Sequence, residues 1–200
     1  MYLALDYKFL HKSWTHTASL SLHQYGLKHN QRAGSFKQNH IKIEPKWHSK
    51  WGIGNSESLS FRYSYQNRFP YARQLSESFV LQAYNSIYKG NALLKNEKFH
   101  SSSISYRKFN SYRGLSIYAN LYYNRRERSV RNQVILDGVD RYNLAFMMDT
   151  PETSWNFIGS IEKDLKLVRL GLQPIANYTE FTQAVNTKLQ NTNTKGVGTT

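Results

Sequence analysis

The sequence has no cysteine among its 200 residues, which excludes a disulfide framework and any thiol-ligated metal. Proline is limited to 4 positions. No apolar run of about 18 residues exists, so no membrane-spanning helix is expected. Acid is scarce: 13 Asp and Glu stand against 27 Lys and Arg, a formal net charge of +14. Such a surplus invites a nucleic-acid reading, but the cations are spread along the chain, mostly on the polar parity of alternating stretches. Their densest run is Arg125-Arg126-Glu127-Arg128, and no helix-turn-helix, zinc-finger or RNA-binding signature accompanies it. Catalytic signatures are also missing: there is no Gly-x-Ser-x-Gly, no His-Glu-x-x-His and no phosphate-cradling glycine loop. Glu57, Glu77 and Glu97 are isolated acids, and no enzyme is expected. The opening MYLALDYKFLHKS has neither a basic leader nor a small-residue cleavage site, unlike a signal peptide. The expectation is therefore a cytoplasmic protein or a chain that begins inside a larger one.

What is present is aromatic and alternating. Aromatic residues make up 14% of the chain, with 15 Tyr, 10 Phe and 4 Trp. These side chains suit places where an apolar body meets a wet edge, membrane interfaces included. Apolar residues recur at every second position over most of the chain, the period of a strand with two unlike faces. Leu3, Leu5, Tyr7 and Phe9 share one parity, as do Ala18, Leu20 and Leu22. Ile41, Ile43 and Trp47 oppose Lys42, Glu44, Lys46 and His48. Further rows are Leu59-Phe61-Tyr63-Tyr65, Leu115 to Tyr123, Tyr142 to Met148, and Trp155-Phe157-Ile161. In DLKLVRLGL the parity switches, as at a β-bulge or a short turn. The segment 74–88 is the least strand-like and could hold a short helix or a folded loop. Asn110–Gly114 and Asp149–Thr153 read as polar turns. About ten or eleven strands are predicted.

Soluble sandwiches use strands of about five or six residues with the apolar side inside. Transmembrane barrels use strands of about nine to eleven, apolar toward lipid and aromatic near their ends. The alternating rows here are of the longer kind, and Trp47, Trp51, Tyr63, Tyr65, Tyr122 and Tyr123 sit near their ends. The fold class expected is all-β, an antiparallel transmembrane β-barrel. His40, Glu44 and His48 share a strand parity, but residues four apart on a strand lie about 13 Å apart. A solvated face, not a metal site, is the expectation there, and a tight turn rather than a calcium loop at Asp137–Asp140. Arg125, Arg126 and Arg128 read as a solvated strand end, or as a contact for anionic lipid or lipopolysaccharide phosphate, which the guanidinium fork suits.

One stretch breaks the rhythm. FRYSYQNRFPYARQL begins as a strand and stops at Arg68-Phe69-Pro70. Gln74-Leu75 follows, then Gly90-Asn91, Glu97 and a new strand ending Tyr106-Arg107-Lys108-Phe109. This order resembles the TonB-dependent receptor family, and is closest to the outer-membrane β-barrel receptors of Bacteroidetes-type bacteria. Arg68, Pro70, Gln74, Leu75, Gly90, Asn91 and Glu97 match the family's structural motif. Ala92 and Asn96 stand where the family places proline. The similarity continues through a strand ending Tyr122-Tyr123-Asn124-Arg125, a Val-rich return over 130–136, and the loop-like Asn191-Thr192-Asn193-Thr194. It covers roughly residues 55–195.

The resemblance implies an outer-membrane barrel of a Gram-negative bacterium, of the 22-stranded plugged class. The chain, 1–200, would then be a single barrel segment from the middle to later part of that barrel, a fragment with a long loop at about 66–98 and no plug domain. It implies uptake of a bulky ligand such as a siderophore, vitamin or glycan. The implied partners are outer-membrane lipid, lipopolysaccharide, and an energy-coupling protein reached through a missing N-terminal part, with no nucleic acid and no cofactor. Two other readings stand beside it: a small closed outer-membrane barrel acting as porin or adhesin, and a soluble basic β-protein binding nucleic acid or polysaccharide.

Overall fold

The structure, a computed structural model, describes residues 2–31, 34–185 and 188–199, with side chains described except at 27–31, 34–38 and 185. Its backbone is a 13-stranded sheet. The strands are β1 (Tyr2–His11), β2 (Trp14–Gln31), β3 (Gly34–Gly54), β4 (Glu57–Arg68), β5 (Phe79–Ala83), β6 (Ser86–Lys89) and β7 (Glu97–Asn110). They continue with β8 (Leu115–Asp137), β9 (Asp140–Met148), β10 (Glu152–Asp164), β11 (Arg169–Leu172), β12 (Pro174–Val185) and β13 (Lys188–Thr199). The one described helix is α1 (Ala72–Leu75). Nine strands form an antiparallel meander in the order β1-β2-β3-β4-β7-β8-β10-β12-β13. Among the described residues β1 pairs only with β2, and β13 only with β12.

Register places the alternating residues in continuous rows across this sheet. Tyr7, Ala18, Trp47, Tyr63, Ser102, Tyr123, Trp155 and Tyr178 are successive cross-strand partners. The next polar row along β3 and β4 is His48 and Arg62, continuing to Ser103, Tyr122, Asn156 and Asn177. Exposure is inverted relative to a water-soluble domain. Leu3, Leu5, Leu20, Ile41, Ile43, Trp47, Phe61, Ile104 and Trp155 are exposed, while Ser21, Glu44 and Asn120 on the opposite parity are buried. A sandwich would cover the apolar rows with a second sheet; here they face outward, as lipid requires.

The height of the apolar row fits a bilayer. From Ile41 to Trp51 the chain climbs about 33 Å along β3, which at the usual barrel tilt projects to about 25 Å, the height of an outer-membrane apolar band. Its lower edge carries Trp14 stacked on Trp51 with ring centroids 5.0 Å apart, and its upper edge Tyr123 against Trp155 at 4.4 Å. Pairing of β3 with β4 ends at Lys46, beside Pro45, whose nitrogen has no proton to donate.

The two ends of the sheet differ. At one end the connections are short: Lys12-Ser13, Asn55-Ser56, Ser111–Gly114 and Leu165–Val168. At the other, β4 and β7 are joined through residues 69–96, and β8 runs 23 residues, far more than a bilayer needs. Its upper half, Ser129–Asp137, pairs with β9, and β9 pairs in parallel with β6 of the 69–96 connection. A small sheet β8-β9-β6-β5 therefore stands beyond the apolar band.

Several expectations need correction. Strand count is 13 rather than ten or eleven, because 79–89 forms the hairpin β5–β6 and the DLKLVRLGL switch is a four-residue turn between β10 and β11. The 74–88 segment holds that hairpin, and the helix precedes most of it. The Val-rich 130–136 is not a return strand: it continues β8 across a register shift, since Arg125–Arg128 contains no turn-forming residue. Asn191–Thr194 belongs to β13 rather than to a loop. On β9 the alternating row Tyr142-Leu144-Phe146-Met148 is buried only at Met148, while Asn143 and Ala145 of the other parity are also buried.

Candidate functional site: the polar face and the loop clasp

The polar face carries a cavity of about 550 Å³, lined by Ser19, Lys46, His48, Arg62, Ser103 and Tyr122 among others. A second of about 540 Å³ adjoins it toward the long connections, with Tyr25, Gln66, Arg68 and Phe99. Serines, amides and the cations Lys46, Arg62 and Arg68 are set there among aromatic rings, those of Trp47, Tyr63, Tyr122 and Phe99, and the charged groups of the lining are all positive. Glu44, read from sequence as part of a solvated face, is instead buried and accepts a 2.9 Å hydrogen bond from the Asn67 backbone N–H. His23 Nε2 lies 3.6 Å from its other oxygen. This acid anchors the top of β4, a role that parity alone does not disclose.

Above this face the motif positions come together. Pro70 is buried and ends β4. Gln74 folds back so that its Oε1 accepts the Tyr71 N–H at 2.8 Å, capping α1. Leu75, 2% exposed, enters a cluster with Tyr88, Leu94 and Ala145, against which Val130 and Met147 pack. Gly90 donates its N–H to Ser76 O at 2.8 Å, and Asn91 donates to Gln74 O at 2.7 Å. A Cβ at Gly90 would lie 2.5 Å from two carbonyl oxygens, Gln74 O and Ser76 O, so only glycine fits. The Asn91 side chain accepts the Leu93 N–H at 2.8 Å, holding the turn that leads to β7. Asn96, where the resemblance would place proline, donates to Asn67 Oδ1 at 2.7 Å and ties the two ends of the connection. Proline could not do this.

Glu97 is 8% exposed and accepts the Val130 N–H at 2.8 Å, with Arg126 Nη1 at 4.0 Å. It joins the base of β7 to the upper half of β8. Arg68 lies over the Phe99 ring at 5.0 Å and Arg126 over the same ring at 4.7 Å. Arg126 and Arg131 both reach Glu152, a buttress the sequence did not announce because its members lie on different strands. The result is a clasp whose core is apolar and water-excluding, the only such cluster among the described residues. Burial pushes the Tyr88 hydroxyl above its usual range, with Arg73 over the ring opposing.

The family model described as Outer membrane protein beta-barrel family matches residues 2–163. Among solved structures, the siderophore receptor PirA from Pseudomonas aeruginosa is similar with a TM-score of 0.64 at 10% identity, over 99% of this chain and 40% of that one. The likeness is one of fold, and the chain spans two-fifths of that receptor's length. None of the curated proteins matches the chain. With most of its length matched and an apolar band facing outward around a polar interior face, the chain belongs to the Outer membrane protein beta-barrel family and forms part of a β-barrel in the outer membrane.

Proposed function

We propose that the chain is the barrel-wall segment of a TonB-dependent-receptor-like transporter in a Gram-negative bacterium, taking up a bulky ligand such as a siderophore, vitamin or glycan. The observation that carries this reading is the clasp. Arg68, Pro70, Gln74, Leu75, Gly90, Asn91 and Glu97 are far apart in sequence yet form one packed unit over the cavity-bearing polar face. Their work is structural, fixing the connection 69–96 at the mouth of the lumen, and the chain acts without catalysis or cofactor.

The strand arithmetic supports a large barrel. Nine strands lie on the meander, about two-fifths of the roughly 22 of a plugged transporter. A small closed porin would instead join β1 to β13, whereas among the described residues β1 pairs only with β2 and β13 only with β12. Outer-membrane barrels have short periplasmic turns and longer external loops, so the clasp end faces the exterior. Energy coupling would reach the ligand site through a segment outside these residues.

Uptake by cells carrying or lacking the full-length gene tests the reading, with ferric chelates, cobalamin and oligosaccharides as probes. Gene-dependent accumulation of one probe, abolished by a protonophore, is expected. Gene-dependent passage of small solutes that persists with the protonophore would overturn it in favour of a passive pore.

A further inference from the structure

Beyond the apolar band the wall does not keep the strand order it has in the bilayer. The upper half of β8 meets β12 on its β10 side, at Val134 and Val185, and pairs with β9 on the other. β9 pairs with β6, and β6 with β5, so β5 is the last strand of this upper tier. Across from it, pairing of β3 with β4 stops at Lys46, and residues 34–45 have no strand on that side among the described residues. The tier is therefore broken above the tops of β4 and β7, and β5 lines the break with a free edge.

Nothing blunts this edge. Phe79–Ala83 reads FVLQA, without charge or proline, the devices by which strands in water protect unpaired N–H and C=O groups. All five residues are exposed, Phe79 at 65% and Leu81 at 69%. Register fixes the face beside the edge. Phe79, Lys89, Leu144 and Gln133 are successive cross-strand partners, as are Leu81, Ile87, Tyr142 and Ile135. These share the parity of Arg131, which lies over Phe181 and reaches Glu152 on the polar face. The edge thus opens beside an apolar floor that continues the inner wall, with a cavity of about 490 Å³ lined by Phe79, Leu144, Tyr142 and Ile135 among others.

We propose that the β5 edge is a binding site for an extended oligopeptide, taken up as the transported ligand. Donors and acceptors alternating at strand spacing are matched by a peptide backbone, and not by a chelate or a sugar. An added strand places every second side chain on the floor beside Phe79 and Leu81, which selects apolar residues at alternate positions. The proposal rests on the transport reading above and on the clasp end facing the exterior, which surface labelling tests independently.

The test uses the full-length protein in detergent micelles and the peptide Thr-Val-Thr-Phe-Thr-Val-Lys, labelled with fluorescein on its lysine, with binding read by anisotropy. Saturable binding is expected, and its absence would overturn the site. Two further peptides carry N-methyl groups on alternate backbone nitrogens, in one phase or the other. The phase whose N–H groups face β5 should bind at least about tenfold more weakly, the scale of one lost hydrogen bond, and the other phase like the parent. Equal affinity of the two would rule out backbone pairing. Leu81→Lys, at an exposed position, should fold and should lower affinity about tenfold through the lost apolar contact. Leu167→Lys, in the short β10–β11 turn at the opposite end, should change nothing. Binding by Leu81→Lys within twofold of the parent would also overturn the site. In cells, the labelled peptide should accumulate only with the gene and only without a protonophore. Binding in micelles with no such accumulation would overturn the peptide as cargo, and accumulation that survives the protonophore would overturn the transport reading instead.

Discussion

Gly90→Ala is the sharpest perturbation of the clasp. The added Cβ would stand 2.5 Å from Gln74 O and Ser76 O and 2.7 Å from Arg73 O, all backbone atoms that cannot rotate away. Relief requires the 90–91 strand end to withdraw from 74–76, which stretches the Gly90–Ser76 and Asn91–Gln74 hydrogen bonds. Stretching rather than breaking two such bonds costs about 0.5 kcal/mol each, and overpacking adds about 1–3 kcal/mol, so the clasp should lose roughly 2–4 kcal/mol. The loss is local, because the meander strands do not touch this glycine. In outer-membrane vesicles, trypsin cleavage within 73–95, at Arg73, Lys89 or Lys95, should therefore quicken roughly 30- to 1000-fold, while the heat-modifiable mobility of the barrel stays unchanged. Gly54→Ala, with nothing within 4 Å of its Cβ, should leave cleavage at the parental rate. If Gly90→Ala were cleaved within twofold of the parent, the reasoning that this contact holds the connection would fail.

Two further outcomes follow. The chain lacks cysteine, so single thiols can report sidedness: Tyr84→Cys and Leu167→Cys, at positions 99% and 97% exposed, should label with a membrane-impermeant maleimide in intact cells and only after permeabilisation, respectively. The reverse pattern would invert the orientation. Glu127 lies above the apolar band, and a hydrogen bond with His100, then Lys98, holds its carboxyl below the usual carboxylate range. A depressed folded-state pKa stabilises above the unfolded value and is lost as pH falls through the folded one. The stability difference between the parent and Glu127→Gln should thus be small but present at pH 7, begin to fall near the ordinary glutamate value of about pH 4.3, and vanish only below the depressed folded-state value, by thermal unfolding in detergent. A difference that grew on acidification would refute the assignment.

Period 2 carried most of the fold. The rows through Leu59–Tyr65 and Leu115–Tyr123 specify the outward face because a one-residue slip would turn every apolar side chain inward. Turns with glycine or a polar cluster, such as Asn110–Gly114 and Asp137–Gly138, were equally plain. What escaped was long-range. Nothing local says that β8 continues through Arg125–Arg128, since the register shift depends on β7. Nor does sequence show that β6 lies beside β9, a parallel pairing of residues more than fifty apart. Glu97 looks like an isolated acid, and Glu44 like part of a solvated face, until the strands that supply Val130 and Asn67 are in place.

The motif residues were legible for a different reason, and that reason limits what they say. Inside the apolar band the sheet is held by backbone pairing in lipid, where many apolar side chains serve equally well at an outward position. Beyond the band the connection 69–96 stands in water and must bury apolar surface of its own, which it does with Leu75, Tyr88, Leu94 and Ala145. A core this small has few alternative solutions. The residues that close it, such as Gly90 against three carbonyls and Gln74 on its own cap, are therefore individually demanded. Sequence pattern thus marks the clasp strongly because packing there is exacting. The polar face beneath it, with Arg62, His48 and Tyr122, need only remain hydrated and positive. On the proposed reading it would face the transported ligand, yet its residues are the least constrained by the fold, so the ligand's identity would be written there in chemistry rather than in motif.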